Sequence, residues 1–312
     1  MRLVCAYRRG PARRRRFPVL LSTMLVAASV VAVLAYEHDA EGAGGTPAEP
    51  AMPVPGSPMP DPPGFDAAFR TRIAQADAYA SSRPGFTGIV VRDRRTGAVW
   101  RNAHAAVPIS ACSTPKLAMA VDLLLRDDTG VLTLTAEDRD LMHRMLHSSD
   151  NDAATTLWER YGGERSYAPR FRSFGMANMY FSAGHPDAWG WMMVTATDLE
   201  QLMNFALEKL PARHRQYLVS EMRSVDGDAS LDHDQRWGVW GAGPEALPGN
   251  KNGWADDNDD GSWLMNSVGF VGPREQYTVA IMNNTQVIDD GYQVGKKTVT
   301  RISEILFKGF FA

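Results

Sequence analysis

Cysteine is nearly absent from this 312-residue chain, which has only Cys5 and Cys112. Cys5 sits in a basic N-terminal segment expected to be cytosolic or removed. That leaves no cysteine pair in the exported part, and a disulfide framework is excluded; Cys112 reads as a small core residue. Acidic residues are missing from 1–36, which hold seven arginines (Arg2, Arg8, Arg9 and Arg13 to Arg16). Of the 33 Lys and Arg, the remaining 26 face all 36 Asp and Glu. So acidic a body lacks the basic face that nucleic-acid binding needs, and no nucleic-acid partner is expected. There is no internal repeat, and a single long apolar run, Phe17 to Tyr36.

That run follows the arginines directly and is about 20 residues long, enough to span a bilayer. Residues 1–36 therefore read as an export signal or signal anchor, with Val33-Leu34-Ala35 as the cleavage site if one is used. Arg14-Arg15-Arg16-Phe17 resembles the twin-arginine pattern. The chain is expected to be exported, either extracellular or held on the outer face of the cytoplasmic membrane, touching the membrane only through this segment. Residues 37–64 are rich in Pro, Gly and Ala and predict a disordered linker. The folded domain is expected over 65–312.

Within it, "DAAFRTRIAQADAYAS" predicts a helix ended by Arg83-Pro84-Gly85. "TGIVVRDRRTGAVWRN" predicts a hairpin turning at Arg95-Thr96-Gly97. Helices follow at 113–127, 136–147, 150–161 and 195–210. A second hairpin turns at Gly272-Pro273, and "VGKKTVTRISEILFKGF" is an amphipathic closing helix. This order predicts a mixed α/β sandwich: an antiparallel sheet from both ends of the chain, the terminal helices on one face and the helical middle on the other.

One residue conflicts with that pattern. Lys116 falls in the first turn of an apolar helix, where the dipole disfavours a cation and burial penalises the amine. Ser113-Thr114-Pro115-Lys116 has the form S-x-x-K, and residues three apart share a helix face, so the amine can reach the serine hydroxyl. A neutral amine there is a base. Alone, the pattern equally describes a serine N-cap with a solvated lysine. Ser149-Asp150-Asn151 at a helix junction and Lys251-Asn252-Gly253 in a strand-like segment likewise also suit an N-cap and a surface turn.

Together they match, in order, the S-x-x-K, S-D-N and K-T-G motifs of class A β-lactamases and penicillin-binding proteins, the third with Asn252 in place of Thr. The chain resembles that superfamily across 65–312. The resemblance implies Ser113 as nucleophile and Lys116 as its base. Ser149 would pass a proton to the leaving nitrogen with help from Lys251, and Asn151 would position the substrate amide. The backbone N–H groups of Ser113 and Trp254, which follows Gly253, would form the oxyanion hole. It implies a β-lactam or peptidoglycan-peptide-like substrate, no cofactor and no metal, and a monomer is expected. The alternatives are a penicillin-recognising D,D-peptidase and a catalytically silent exported binding protein of the same fold.

Three departures stand out. Asn252 replaces the usual Thr or Ser, whose hydroxyl meets the substrate carboxylate; its amide is expected to donate instead. Only 36 residues separate Ser113 from Ser149, which predicts an open cleft. The segment from Tyr180 to Thr195 contains no glutamate to deacylate the enzyme. Its ionisable residues are His185 and Asp187, with Asp187 the candidate replacement base or a plain turn residue. Slow deacylation is therefore expected. Asp256, Asn258, Asp260 and Gly261 match the opening of a calcium loop, but Ser267 stands where the closing glutamate belongs, so a solvated hairpin loop is expected. Trp189, Trp191, Trp237, Trp240 and Trp254 are candidates for either the cleft or the core.

Overall fold

The computed structural model describes residues 64–311, apart from 184, 186–187, 228–233, 257–261 and 287–288. The expected export signal and nearly all of the expected linker lie outside the described residues, as do Asp187, Asn258, Asp260 and Gly261. No helix among the described residues is long and apolar enough to cross a membrane.

The chain begins with α1 (Ala67–Ser81), β1 (Phe86–Asp93), β2 (Val99–Arg101) and β3 (Ile109–Ser110). The helical middle comprises α2 (Pro115–Asp128), α3 (Ala136–His147), α4 (Asn151–Arg160) and α5 (Gly163–Ser173). After β4 (Tyr180–Phe181) and β5 (Met192–Val194) come α6 (Ala196–Lys209) and α7 (Ala212–Arg223). Strands β6 (Gly249–Asp256), β7 (Trp263–Val271) and β8 (Tyr277–Asn284) and helix α8 (Gly291–Phe307) close the domain.

Side chains alternate across a strand, so a sheet covered on both faces must be apolar at every position. The centres of β1 and β8 meet that demand, with polar residues confined to their ends. Ile89, Val91, Val279 and Ile281 join Phe69 and Ile73 of α1 and Val299 and Ile302 of α8 in one core. Val90, Ala280 and Met282 join Leu117 of α2 and Leu199 of α6 in the other. The large sheet runs β2-β1-β8-β7-β6 with every pairing antiparallel, so β6 ends it. The mixed α/β sandwich is as expected.

Several elements differ from their expected bounds. Helix α8 spans Gly291–Phe307 rather than 294–310, and neither α5 nor α7 is foreshadowed in the sequence pattern. Helix α5 carries Pro169 and is held by distant partners: the Arg170 guanidinium bonds the buried Asp122 carboxylate on α2, and Tyr167 stacks on Trp158 at 4.8 Å. Strands of two or three residues make the small sheet β3-β5-β4, too short to display a period.

Helix α3 sets the position of the loop that follows it, and its start is strongly anchored. Asp138 and Thr135 form a reciprocal capping box. Burial alone would raise the Asp138 pKa. Hydrogen bonds from the Thr135 hydroxyl and amide, the Tyr161 hydroxyl and Arg160 outweigh it and hold the carboxyl at about 2. A depressed carboxyl pKa stabilises the fold above the unfolded value and loses that contribution as pH falls toward the folded value. Asp138 should therefore contribute about 2 kcal/mol at neutral pH, lost on acidification through the window from 3.8 to about 2. Urea titrations of Asp138→Asn are expected to show a deficit at neutral pH that shrinks as the solution is acidified.

Candidate active site

Ser113 lies in the turn just before α2, and the N-cap position falls to Thr114, whose hydroxyl donates back to the Ala111 carbonyl at 2.8 Å and makes no cap bond to the helix. Ser113 is thus not spent as a cap. Cys112 before it is buried and holds φ 53°, a left-handed conformation unusual outside glycine. The second motif resolves in the same way. Asp150 caps α4 by accepting from the Ala153 amide at 3.0 Å, and Ser149, at φ 61°, keeps its hydroxyl for another use.

That use is to stand between two lysines. Lys116 Nζ is 3.1 Å from Ser113 Oγ and 3.1 Å from Ser149 Oγ. It is 2.5 Å from the Ser149 carbonyl oxygen and 2.7 Å from Asn151 Oδ1. Lys251 Nζ approaches the same Ser149 Oγ at 2.8 Å and the Asn252 carbonyl at 2.9 Å. Both lysines are fully buried. Lys116 Nζ is within hydrogen-bond distance of all four oxygens, and deprotonation would turn this buried, pre-positioned amine into a base for the Ser113 hydroxyl. The arrangement can move a proton from Ser113 to Lys116 and on to Ser149.

Burial pushes the Lys251 pKa well below its ordinary value, and the charge of Lys116 pushes the same way. A lysine pKa lowered by folding means that the unfolded chain binds more protons, so stability rises with pH from the folded value up to the ordinary one near 10.5. Lys251→Met removes this slope. Thermal melts from neutral to alkaline pH should show the variant losing Tm relative to the parent as pH rises. A constant difference would mean that Lys251 titrates alike in both states.

The third motif follows from strand alternation. Lys251 and Gly253 face the nucleophile, and Asn250, Asn252 and Trp254 face the segment 234–242. A Cβ built on Gly253 would lie 2.6 Å from the Ser113 amide nitrogen and 2.9 Å from the Ala111 carbonyl, so only glycine lets β6 pass there. The Ser113 N–H donates to no acceptor among the described residues. Because β6 ends the sheet, alternate N–H groups point off its free side. The Asn252 carbonyl faces that way toward Lys251, and the Trp254 amide, two residues on, shares its direction.

Asn252 requires a correction. Its side chain is fully buried, with Nδ2 donating to the Gln235 carbonyl at 2.8 Å and Oδ1 accepting from Asn250 at 2.7 Å. The expected amide donor to a substrate carboxylate is committed inside the protein, on the face away from Lys251. Trp254 likewise turns its ring to Trp237, with centroids 5.9 Å apart, leaving only its main chain beside Ser113.

Two further residues shape the site: Trp189, one of the five tryptophans expected in either cleft or core, and Asn266, which the sequence did not single out. Trp189 places its ring 4.8 Å from Lys116 Nζ and donates its indole N–H to Thr155 at 3.3 Å. Asn266, buried on β7 opposite Gly253, donates to the Ser110 carbonyl at 2.9 Å and so fixes the turn leading to Ser113. The polar Asn266-Ser267 pair inside the apolar run "WLMNSVGFV" was the available signal. His185 stacks on Trp191 at 4.3 Å. No group of three metal-ligating side chains occurs among the described residues.

No family model matches the chain. A candidate lipoprotein, LppW of Mycobacterium tuberculosis (strain ATCC 25618 / H37Rv), is 27% identical over 245 residues, covering 76% of this chain and 74% of LppW. Among solved structures, PBP-A superposes with a TM-score of 0.63 at 20% identity, over 77% of this chain and 96% of PBP-A. A point variant of PBP-A has been solved as an acyl-enzyme complex with penicillin G. A class A β-lactamase from Bacteroides cellulosilyticus DSM 14838 superposes with a TM-score of 0.62 at 17% identity, over 79% and 99% of the two chains. The chain has the fold of the class A β-lactamases and PBP-A.

Proposed function

We propose that this protein is an exported serine acyl-transfer enzyme that forms an acyl-enzyme with β-lactams or acyl-D-Ala-D-Ala-like amides and releases it slowly. The observation that carries the reading is the chain of contacts Ser113–Lys116–Ser149–Lys251, which supplies a nucleophile, a base and a proton path in one place. Lys116 takes the Ser113 proton as Oγ attacks the carbonyl carbon. The N–H groups of Ser113 and Trp254 hold the oxyanion; one such donor is typically worth about 3–4 kcal/mol. As the C–N bond breaks, Ser149 gives its proton to the leaving nitrogen and is reprotonated from the lysines. Asn151, bonded to Lys116, is placed to hold the substrate amide.

Slow release is supported by the glutamate-free segment from Tyr180 to Thr195 and by the Trp189 ring standing over Lys116. The penicillin acyl-enzyme of the PBP-A variant supports the substrate class. The relative named as a candidate lipoprotein, together with the basic and apolar N-terminus, supports export and membrane attachment.

Intact-mass spectrometry after mixing the protein with benzylpenicillin tests this. A single covalent adduct that persists after removal of free drug, and that Ser113→Ala abolishes, is the expected outcome. A transient adduct with steady drug hydrolysis would overturn slow release, and no adduct would overturn the substrate class.

A further inference from the structure

Where β1 gives way to its hairpin turn and β7 turns into β8, Arg94, Arg95 and Arg274 converge with Pro273 and Gln276 around a cavity of about 390 Å³. None of these five lining residues carries a carboxylate. Arg94 is built into the wall: its amide donates to the Gln276 carbonyl at 2.8 Å, and its guanidinium donates to the Glu275 carbonyl at 2.9 Å. Its Nε is buried with no hydrogen-bond partner among the described residues. Burial pushes the Arg94 pKa down; Arg215 and Arg92 push the same way, and Glu208 and Glu275 oppose them.

The other two guanidiniums make no hydrogen bond among the described residues, and Arg95 has only a long ion pair. The carboxylate nearest Arg95 is Asp93 at 3.8 Å, and Arg95 is 72% exposed. No carboxylate lies within ion-pair distance of Arg274 among the described residues. Glu275, the acid beside them in sequence, is turned away into a 2.9 Å bridge with Arg223. Arg274 and Glu275 are consecutive non-glycine residues at φ 56° and 53°, and the Arg94 and Arg223 bonds hold that conformation.

Three like charges brought together in an otherwise acidic body repel one another unless an anion joins them. Guanidinium forks match the paired oxygens of a phosphate. We infer that Arg94, Arg95 and Arg274 form a binding site for a phosphate group, apart from the serine site and independent of its chemistry. The group could be a free phosphate ester or the headgroup of an anionic phospholipid, since both present the same oxygens.

The test uses the parent protein and the double variant Arg95→Gln/Arg274→Gln, whose altered guanidiniums make no hydrogen bond among the described residues. In thermal melts, inorganic phosphate is expected to raise the parent Tm saturably above chloride controls of equal ionic strength. The double variant should weaken binding about tenfold or more, as loss of charge-assisted hydrogen bonds predicts, with its Tm in chloride no lower than the parent's and its benzylpenicillin acylation unchanged. Co-sedimentation with phosphatidylglycerol vesicles, against phosphatidylcholine vesicles, distinguishes the sources. Arginine-dependent sedimentation identifies a headgroup, and phosphate binding without it identifies a soluble ester. No response to phosphate and no vesicle binding, or a response undiminished in the double variant, overturns the site.

Discussion

Alanine in place of Lys116 is expected to slow acylation by benzylpenicillin by about 10³-fold or more, the scale seen when the base of a nucleophile–base pair is removed. Among the described residues Lys116 is the only amine in contact with Ser113 Oγ, so the hydroxyl would have to lose its proton to bulk water. The same variant leaves four oxygens, those of Ser113, Ser149 (two) and Asn151, without their common partner. A buried acceptor without a donor costs about 1–3 kcal/mol, so Tm should fall as well. A third effect separates loss of the base from mere unfolding. Lys251 no longer faces a second amine, so the electrostatic part of its pKa depression disappears and its apparent pKa should rise. Stopped-flow acylation, melting curves and the pH profile of residual activity test the three together. Near-parental acylation in a folded variant would remove Lys116 from the mechanism.

The second large effect comes from a single methyl group. Gly253→Ala places a Cβ 2.6 Å from the Ser113 nitrogen and 3.0 Å from the Thr114 nitrogen, against main chain with no flexible end to move aside. Either β6 or the turn before α2 must retreat. Overpacking of this kind costs about 1–3 kcal/mol. On the proposed function its cost to activity is larger, because the two proposed oxyanion donors, the Ser113 and Trp254 N–H groups, sit on the two segments forced apart, and loss of one such donor slows turnover about 10²–10³-fold. Acylation should therefore fall by about that factor while the Ser113–Lys116 contact, internal to one turn, is kept. A serine-directed fluorophosphonate, which depends less on carbonyl polarisation, should retain more of its rate than benzylpenicillin does. Equal losses with both reagents would mean that the nucleophile itself was displaced.

Local signals explain what the sequence made legible. Helix α3 runs over the expected 136–147 because a capping box at Thr135 and Asp138 marks its start without help from elsewhere. The two hairpins announce themselves through Gly97 and Gly272, both at positive φ. Lys116, unwelcome by helix rules, pointed to Ser113. Long-range partners decided the rest. Helix α5 owes its place to the Asp122–Arg170 ion pair across 48 positions and to aromatic stacking, neither of which has a local mark. Asn252 was misjudged because motif spacing does not give strand phase: once Lys251 faces Ser149, its neighbour must face away. Trp189 reaches Lys116 from 73 positions on, and nothing local distinguishes it from the other tryptophans.

The free side of β6 carries one more consequence. An exposed sheet edge recruits any extended chain that can complete its hydrogen-bond ladder, a hazard for most proteins. Here the nucleophile lies directly beside that edge, so whatever completes the ladder is delivered to Ser113. A peptide that docks there does so as a sixth strand, recognised by its own main chain more than by its side chains. Selectivity at this cleft is then chiefly a matter of register. On the proposed function, the carbonyl attacked would be the one that falls opposite Trp254, and a ligand shifted along the edge by one residue would present its opposite face and escape attack.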